Sequence, residues 1–419
     1  MKKRGLALLL ILCMVAGIVG CGQKKEGMIA PITSSYGNLE DLKSETEIDP
    51  EKELIKEGIN HFALQMYGEL EEGENIIFSP YSLCSALSLL NLGASGDAKT
   101  EMEEMLGISD LDAWNNEMRA YLETKWSDDT YVMTANSVWM QNDKDWSEEL
   151  KNAFIQSAGF YYNSETYEVD FAEKEKALKG INFWVNENTK GMIPELLKEV
   201  PGNIVLLLLN AVYFEGKWEV PFQEDDTYEG TFYGTLKDSQ IDMMRQYDGE
   251  FVYAEMDGIK GIVLPYQDSD IVMKVFLPID EDMDIEALFG ALSNEEKEAL
   301  IGGLDDGDTQ DISYLALPKF TMEQDIEGLV DILQRMGMIT AFECLSEDLF
   351  VSDVSHKAKI EVDEDGTKAA AVTGILTKDM AAPPMEEAIR FVADRPFLYV
   401  IQDTQTGIIL FMGRVNNLE

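Results

Sequence analysis

Histidine is nearly absent from this 419-residue chain, which has only His61 and His356. Cysteine is scarce as well, with four residues, of which Cys84 and Cys344 fall in the part that reads as folded. No His-Glu-x-x-His or Cys-x-x-Cys spacing is present, so no metal site is expected. One possible cysteine pair is no disulfide framework, and Cys84, inside an apolar helical stretch, reads as a small buried side chain. Positive charge is also short: 33 Lys and Arg face 79 Asp and Glu, a formal net charge of −46. Such a surface disfavours nucleic acid and anionic lipid headgroups, and no dense Lys/Arg stripe is available for a heparin-like polyanion. Gly-x-Ser-x-Gly, Walker and dinucleotide glycine patterns are missing too, so neither a hydrolase centre nor a nucleotide cofactor is expected. His61, between Ile59 and Phe62 in a helical period, suits packing or the surface better than catalysis. The chain therefore reads as a target or trap for another protein's catalysis.

At the N-terminus, Lys2, Lys3 and Arg4 precede an apolar run over residues 5–20 that is too short to span a bilayer and reads as a signal peptide. Removing residues 1–20 takes away three basic groups and no acidic one, which lowers the formal charge to about −49. Residues 22–49 are rich in Gly, Ser, Pro, Glu and Lys without an apolar period, which makes a tether. From there on, the periodicity predicts helices over 54–70, 79–92, 99–106, 174–189 and 325–336. The second opens with Ser79-Pro80, where a missing amide proton costs nothing. Strands are expected over 134–140, 206–214, 250–263, 271–277 and 359–363. The run at 206–214 is nearly continuously apolar and reads as covered on both faces. Helices first and mostly strands afterwards, without βαβ periodicity, give an α+β class.

The most informative tract is residues 361–373, EVDEDGTKAAAVT. A strand runs into an acidic Gly turn, and small residues follow up to Pro383-Pro384. Taking every second residue gives Thr367, Ala369, Ala371 and Thr373, all small or β-compatible, while Lys368, Ala370 and Val372 point the other way. A segment that must slide between two existing strands needs that pattern, because its inward side chains must fit over a packed core. A flexible Ala-rich connector is the plainer alternative.

This tract resembles the hinge and reactive-centre loop of the serpins, proteins that mostly inhibit serine proteases by a suicide mechanism. The resemblance covers about residues 54–418. Residues 75–92 (NIIFSPYSLCSALSLLNL) are similar to the family's segment around its second helix, and 210–222 (NAVYFEGKWEVPF) to its signature at the breach of the large sheet. Residues 356–371 match the strand and hinge, and 393–416 (ADRPFLYVIQDTQTGIILFMGRVN) the closing hairpin, where Pro396 and Gly413 are scaffold residues. The resemblance implies a serpin fold of three β-sheets and eight to nine α-helices, with an exposed reactive-centre loop and a metastable native state. It implies no enzyme but an inhibitor, chiefly of serine proteases with some cysteine proteases. The protein would act as a monomer without a cofactor, with the protease as covalent partner.

Further roles follow from the same resemblance. The scissile position falls fourteen residues beyond Gly366, at Met380 with Ala381 after it. An unbranched apolar side chain there suits elastase, chymotrypsin or subtilisin types, with Lys378 nearby for a trypsin-like pocket if the register slips. The hinge is Gly366, Thr367, Lys368, Ala369, Ala370, Ala371, Val372 and Thr373. Lys368 departs from the acidic residue common there, but its alternation turns it outward. The shutter resembles the family through Ser79, Ser82, Asn186 and His356, and the breach through Asn210, Lys217 and Trp218. Insertion of a dozen residues brings about twelve further backbone hydrogen bonds, each worth about 1 kcal/mol net.

Residues 18–21, Ile-Val-Gly-Cys, resemble the cleavage box of bacterial lipoproteins, with Cys21 as the lipidated residue. Two or more acyl chains would anchor it stably. The expected organisation is a signal peptide at 1–20, a lipidated acidic and polar tether at 21–53 and a serpin domain at 54–419. The expected location is the outer face of a cell membrane or the cell surface. Rival readings are a non-inhibitory serpin, cleaved as substrate or acting as carrier or chaperone, and a surface adhesin or solute-binding lipoprotein.

Overall fold

The computed structural model of the protein describes residues 29–32, 53–70, 72–124, 126–142, 148–200, 204–305, 307–326, 328–345, 350–367 and 388–419. Cys21, the expected signal peptide and the expected hinge residues Lys368, Ala369, Ala370, Ala371, Val372 and Thr373 lie outside the described residues, as do Met380 and Ala381.

Among the described residues nine α-helices occur: α1 (Glu53–Glu69), α2 (Pro80–Asn91), α3 (Gly96–Leu106), α4 (Leu111–Leu122), α5 (Glu148–Tyr162), α6 (Lys174–Asn188), α7 (Ile285–Ala291), α8 (Asn294–Gly302) and α9 (Leu329–Arg335). A six-stranded sheet has the order β10 (Phe320–Asp325), β11 (Asp353–Val362), β12 (Gly366–Thr367), β4 (Leu206–Lys217), β2 (Thr130–Gln141), β3 (Glu165–Val169). A second path of strands runs β1 (Ile76–Phe78), β15 (Ile408–Val415), β14 (Phe397–Asp403), β8 (Ile271–Pro278), β7 (Ile259–Pro265), β6 (Asp238–Met256), β9 (Thr309–Pro318), β13 (Ile389–Val392), with β5 (Tyr228–Tyr233) also on β6. The 19-residue β6 pairs with β7 near its end and with β9 over Met243 to Val252. Counting its two halves separately gives three sheets and an α+β fold.

The apolar run at 206–214 becomes β4, and both of its faces are covered. Leu206, Leu208, Val212 and Phe214 point into the main core, whereas Leu207, Leu209 and Ala211 meet a second cluster built by α6, with Ile181, Trp184 and Val185. A strand sandwiched this way needs no polar alternation. Helix α2, which packs against β4 and β15, is buried along its whole length. Its start is set by Ser79, an extended N-cap whose Oγ accepts from the Ser82 amide, followed by Pro80 in the first turn.

Two expected elements change. The strand expected at 250–263 is a hairpin, because Asp257 and Gly258, at φ 51° and 82°, make a tight reversal between β6 and β7. Positive φ at both central residues matches the right-handed strand twist. The helix expected at 325–336 is shorter. Asp325 ends β10 in register with Lys357, Gly328 has φ 68°, and α9 begins only at Leu329. Helices α4 and α5 were not expected. The first is capped by Asp110 and buries Trp114, Met118 and Tyr121 on one stripe that Asn115 and Asn116 obscure in the sequence. The stretch read as tether is also not wholly detached, since Ile32 bridges to Thr166 on β3 with a 2.8 Å amide bond. Cys84 is buried and Cys344 exposed, and no disulfide joins them.

Candidate functional site

The seam between β4 and β11 is the place where a new strand could enter, and its two halves are built differently. In the lower half the strands pair directly and in parallel, from Asp353 opposite Leu207 to Lys359 opposite Tyr213. In the upper half β12 lies between them, antiparallel to both: Thr367 faces Val362 on β11 and Gly216 on β4, and Gly366 faces Lys217. Gly366 and Thr367, the first two residues of the expected hinge, thus already occupy strand positions.

Gly366 is required at its position by a close backbone approach. A Cβ there would sit 2.1 Å from the Gly216 carbonyl oxygen and 2.6 Å from the Lys217 Cα, backbone atoms that cannot step aside. Gly216 needs its own missing side chain, because a Cβ would meet Phe214 and Tyr266 at 2.7 Å each. Thr367 is fully buried, and its hydroxyl shares a 2.7 Å hydrogen bond with the Tyr266 hydroxyl.

The turn before the hinge is clamped by the end of β4. Trp218 donates its amide to the Asp365 carbonyl at 2.9 Å and its indole N–H to the Asp363 carbonyl at 3.0 Å. Its ring stacks on Tyr266, 4.6 Å between centroids and 13° between planes. The Phe222 amide reaches the Glu364 carbonyl at 2.9 Å, and the Glu364 carboxylate takes Thr227 and Lys319, each at 2.7 Å. Burial works to raise the Glu364 pKa, but the Lys319 and Thr227 hydrogen bonds outweigh it and hold the carboxyl below its usual range. Lys217, at the same end, pairs with Asp129 at 2.5 Å.

The lower half is held by a buried polar chain. His356, Asn210 and Asn136 lie in one row across β11, β4 and β2. The His356 Nδ1–H donates to Asn210 Oδ1 at 2.5 Å, and Nε2 accepts from the Ser79 amide at 3.2 Å. Asn210 Nδ2 donates to Asn136 Oδ1 at 2.8 Å and to Ser82 Oγ at 2.6 Å. Asn136 Nδ2 continues to Ser85 Oγ at 3.0 Å, and Ser79 Oγ donates to the Leu410 carbonyl at 2.6 Å. Three strands are thereby tied to α2 and its cap. Accepting through Nε2 requires neutral imidazole, and full burial pushes the His356 pKa down to about 3.

Of the expected shutter residues, Ser79, Ser82 and His356 come together here and Asn186 does not. Asn186 is half-buried on α6, and its carbonyl accepts from the Gly191 amide at the helix end. Asn210, expected at the breach, sits in the lower network, because its place opposite His356 is seven residues short of Lys217 along β4. Lys217 and Trp218 do lie at the upper end. Asn136 and Ser85 were missed. The signal for Asn136 was an amide in the middle of β2, where its register partner is a second asparagine.

The family model described as serpin (serine protease inhibitor) matches residues 57–418. An uncharacterized serpin-like protein of Thermococcus kodakarensis is 32% identical over 435 residues, covering 100% of this chain and 99% of its own length. Neuroserpin of Mus musculus is 34% identical over 393 residues, 87% of this chain and 92% of that one. Serpin48, described as a highly specific serpin in the insect Tenebrio molitor, superposes with a TM-score of 0.76 at 27% identity, covering 88% of this chain and 100% of that chain.

Proposed function

The chain belongs to the serpin family, and on that premise we propose that it is an inhibitory member that traps a serine protease by inserting its cleaved loop between β4 and β11. Family membership makes its role non-enzymatic. In the proposed reaction the protease serine attacks the carbonyl of Met380, the Met380–Ala381 bond breaks, and the amine of Ala381 leaves with a proton. The acyl-enzyme is then carried away as the hinge zips into the sheet. Displacement of the protease's catalytic groups from their working geometry stalls deacylation.

The observation that carries this reading is β12. A strand started at the top of the seam has both neighbours in hand, and each further residue replaces parallel β4–β11 pairing by antiparallel pairing on two sides. Continuing its register by one residue in the expanded sheet would set Lys368 between Glu215 on β4 and Glu361 on β11. Both carboxylates lie beside the seam, Glu215 held by the Tyr131 and Tyr213 hydroxyls at 2.6 and 2.7 Å and Glu361 by Lys359 at 2.8 Å. A lysine in that place gains two opposite charges.

The finer parts of the proposal are a target with a hydrophobic or medium-sized primary pocket, lipid attachment at Cys21 and residence at the outer face of a membrane. They rest on the bait residue, the small-residue box before Cys21 and the charge pattern of residues 1–20. Incubating the protein with elastase, chymotrypsin and subtilisin tests the inhibitory reading. An SDS-stable adduct with a released peptide beginning at Ala381 supports it. Complete cleavage without adduct by all three contradicts it.

A further inference from the structure

The molecule has six described arginines, and four of them hold a carboxylate. Arg119 pairs with Glu123, Arg335 with Glu69, Arg395 with Glu281 and Asp394, and Arg414 with Glu286. The other two, Arg245 and Arg390, have no described carboxylate partner, although the chain carries 79 acidic residues. Both sit on one face of the sheet formed by β5, β6, β9 and β13, and both stack on tyrosines. Arg245 lies over the rings of Tyr228 at 5.0 Å and Tyr247 at 5.4 Å, and Arg390 over Tyr314 at 4.8 Å. Tyr247 and Tyr314 face each other across the ladder with ring centroids 5.4 Å apart, and the Tyr314 hydroxyl donates to Tyr228 at 3.2 Å. The opposite face of these strands, with Met244, Leu315 and Leu317, belongs to the core.

The residues are therefore presented outward and held in place. Arg390 is exposed, Tyr247 is half exposed, and the Arg245 Nε is buried without a hydrogen-bond partner. A guanidinium fixed over aromatic rings keeps its fork of N–H donors free for a carboxylate and has less freedom to lose on binding. Tyrosine and arginine are also the residue types that dominate binding energy at protein interfaces. The position matters as much as the chemistry, since Arg390 follows the bait bond by ten residues in β13.

We propose that Arg245 and Arg390, on their platform of Tyr228, Tyr247 and Tyr314, are a docking surface for carboxylates on the target protease beside the leaving-group side of its substrate groove. This rests on the inhibitory reading for its partner. The platform orients the protease on the loop before acylation and so raises the association rate rather than the fraction trapped.

The test compares the full chain with an Arg245→Gln/Arg390→Gln variant against elastase, chymotrypsin and subtilisin, at low and high ionic strength. Arg335→Gln, which removes an arginine already paired with Glu69, is the control for lost charge. For the protease inhibited fastest, the double variant should associate at least about tenfold more slowly at low salt. Its salt dependence should flatten, while thermal midpoint and stoichiometry stay unchanged and Arg335→Gln behaves as wild type. Equal rates and equal salt dependence for both chains, with every protease that forms an adduct, overturn the proposal. A wild-type chain that forms no adduct at all sinks the inhibitory reading instead. The platform is then read by hexaglutamate binding, followed through the tyrosine resonances of the full chain. Binding lost in the double variant keeps it, and equal binding by both chains overturns it.

Discussion

The upper and lower halves of the β4–β11 seam are held by opposite kinds of contact. Above, the bonds are mostly backbone amides to carbonyls around a four-residue turn, with Trp218 and Tyr266 stacked behind them. An incoming strand can keep all of these. Below, strand pairs with strand directly, and a buried chain of amide, hydroxyl and imidazole groups crosses β11, β4 and β2 to reach α2. An incoming strand must separate His356 from Asn210 before it can pass. On the proposed mechanism the upper half is thus a mouth already started, and the lower half is the resistance that keeps the unexpanded sheet in place. Polar networks suit that second task, since splitting the row takes His356 Nδ1 and Asn210 Oδ1 from each other inside a buried site.

The largest effect should come from blocking the mouth. Thr367→Arg puts a charge into the fully buried site beside Tyr266, and stable trapping should fall by about 100-fold or more. Adduct and cleaved product on denaturing gels give the ratio. Undiminished adduct formation would show that Thr367 need not enter the sheet.

Next in size is a cut in the lower network. Asn210→Ala orphans the His356 Nδ1–H, Asn136 Oδ1 and the Ser82 hydroxyl, and should destabilise the uncleaved protein by roughly 3 kcal/mol. Asn186→Ala, outside the network, should change stability by about 0.5 kcal/mol or less. Denaturant midpoints for the two variants compare them directly, and similar losses would erase the distinction drawn between these asparagines.

Acid should act on the lower half in a predictable direction. His356 is held at about 3 in the folded chain against an ordinary value of 6.5, so the unfolded chain takes the proton first. Its contribution is fully present above the unfolded value and is lost progressively as pH falls from about 6.5 toward 3, by roughly 2 kcal/mol at pH 5. The depressed Glu364 carboxyl acts in the same direction but only below its own unfolded value of 4.5. Urea midpoints at pH 7 and pH 5 measure the histidine term. His356→Gln should flatten that slope, and an unchanged slope would move the titration elsewhere.

The smallest expected effect concerns the next step of the zip. Lys368→Glu would face Glu215 and Glu361 in the expanded sheet, a like-charge contact worth up to about 1 kcal/mol, and should raise the number of inhibitor molecules consumed per protease trapped by a few-fold. Pairing it with Glu215→Lys should restore much of the loss.

Much of the frame was legible because it rests on local chemistry. Ser79-Pro80 announces α2, and a nearly continuous apolar run announces a strand buried on both faces. The acidic glycine turn after β11 was legible in residues 363–366, which the structure closes by an Asp363 amide bond to the Gly366 carbonyl. What failed depended on contacts distant in sequence. Asn210 and Asn186 are both asparagines in apolar surroundings, and only the register of β11 on β4 puts His356 opposite the first. Asn136 could have been suspected as an amide in the middle of β2, yet its partner is named only by the β2–β4 pairing. Asp257-Gly258 was a readable turn signal lost inside a longer alternating stretch.

The central claim is that the seam accepts the loop as a strand, and heating the cleaved protein tests it most directly. The loop is nicked within residues 368–387 by a protease that releases the chain uninhibited, and unfolding is followed beside the intact protein. The account predicts that the nicked form survives temperatures that unfold the intact one, since the inserted strand completes the sheet. A nicked form that melts with the intact protein would contradict it.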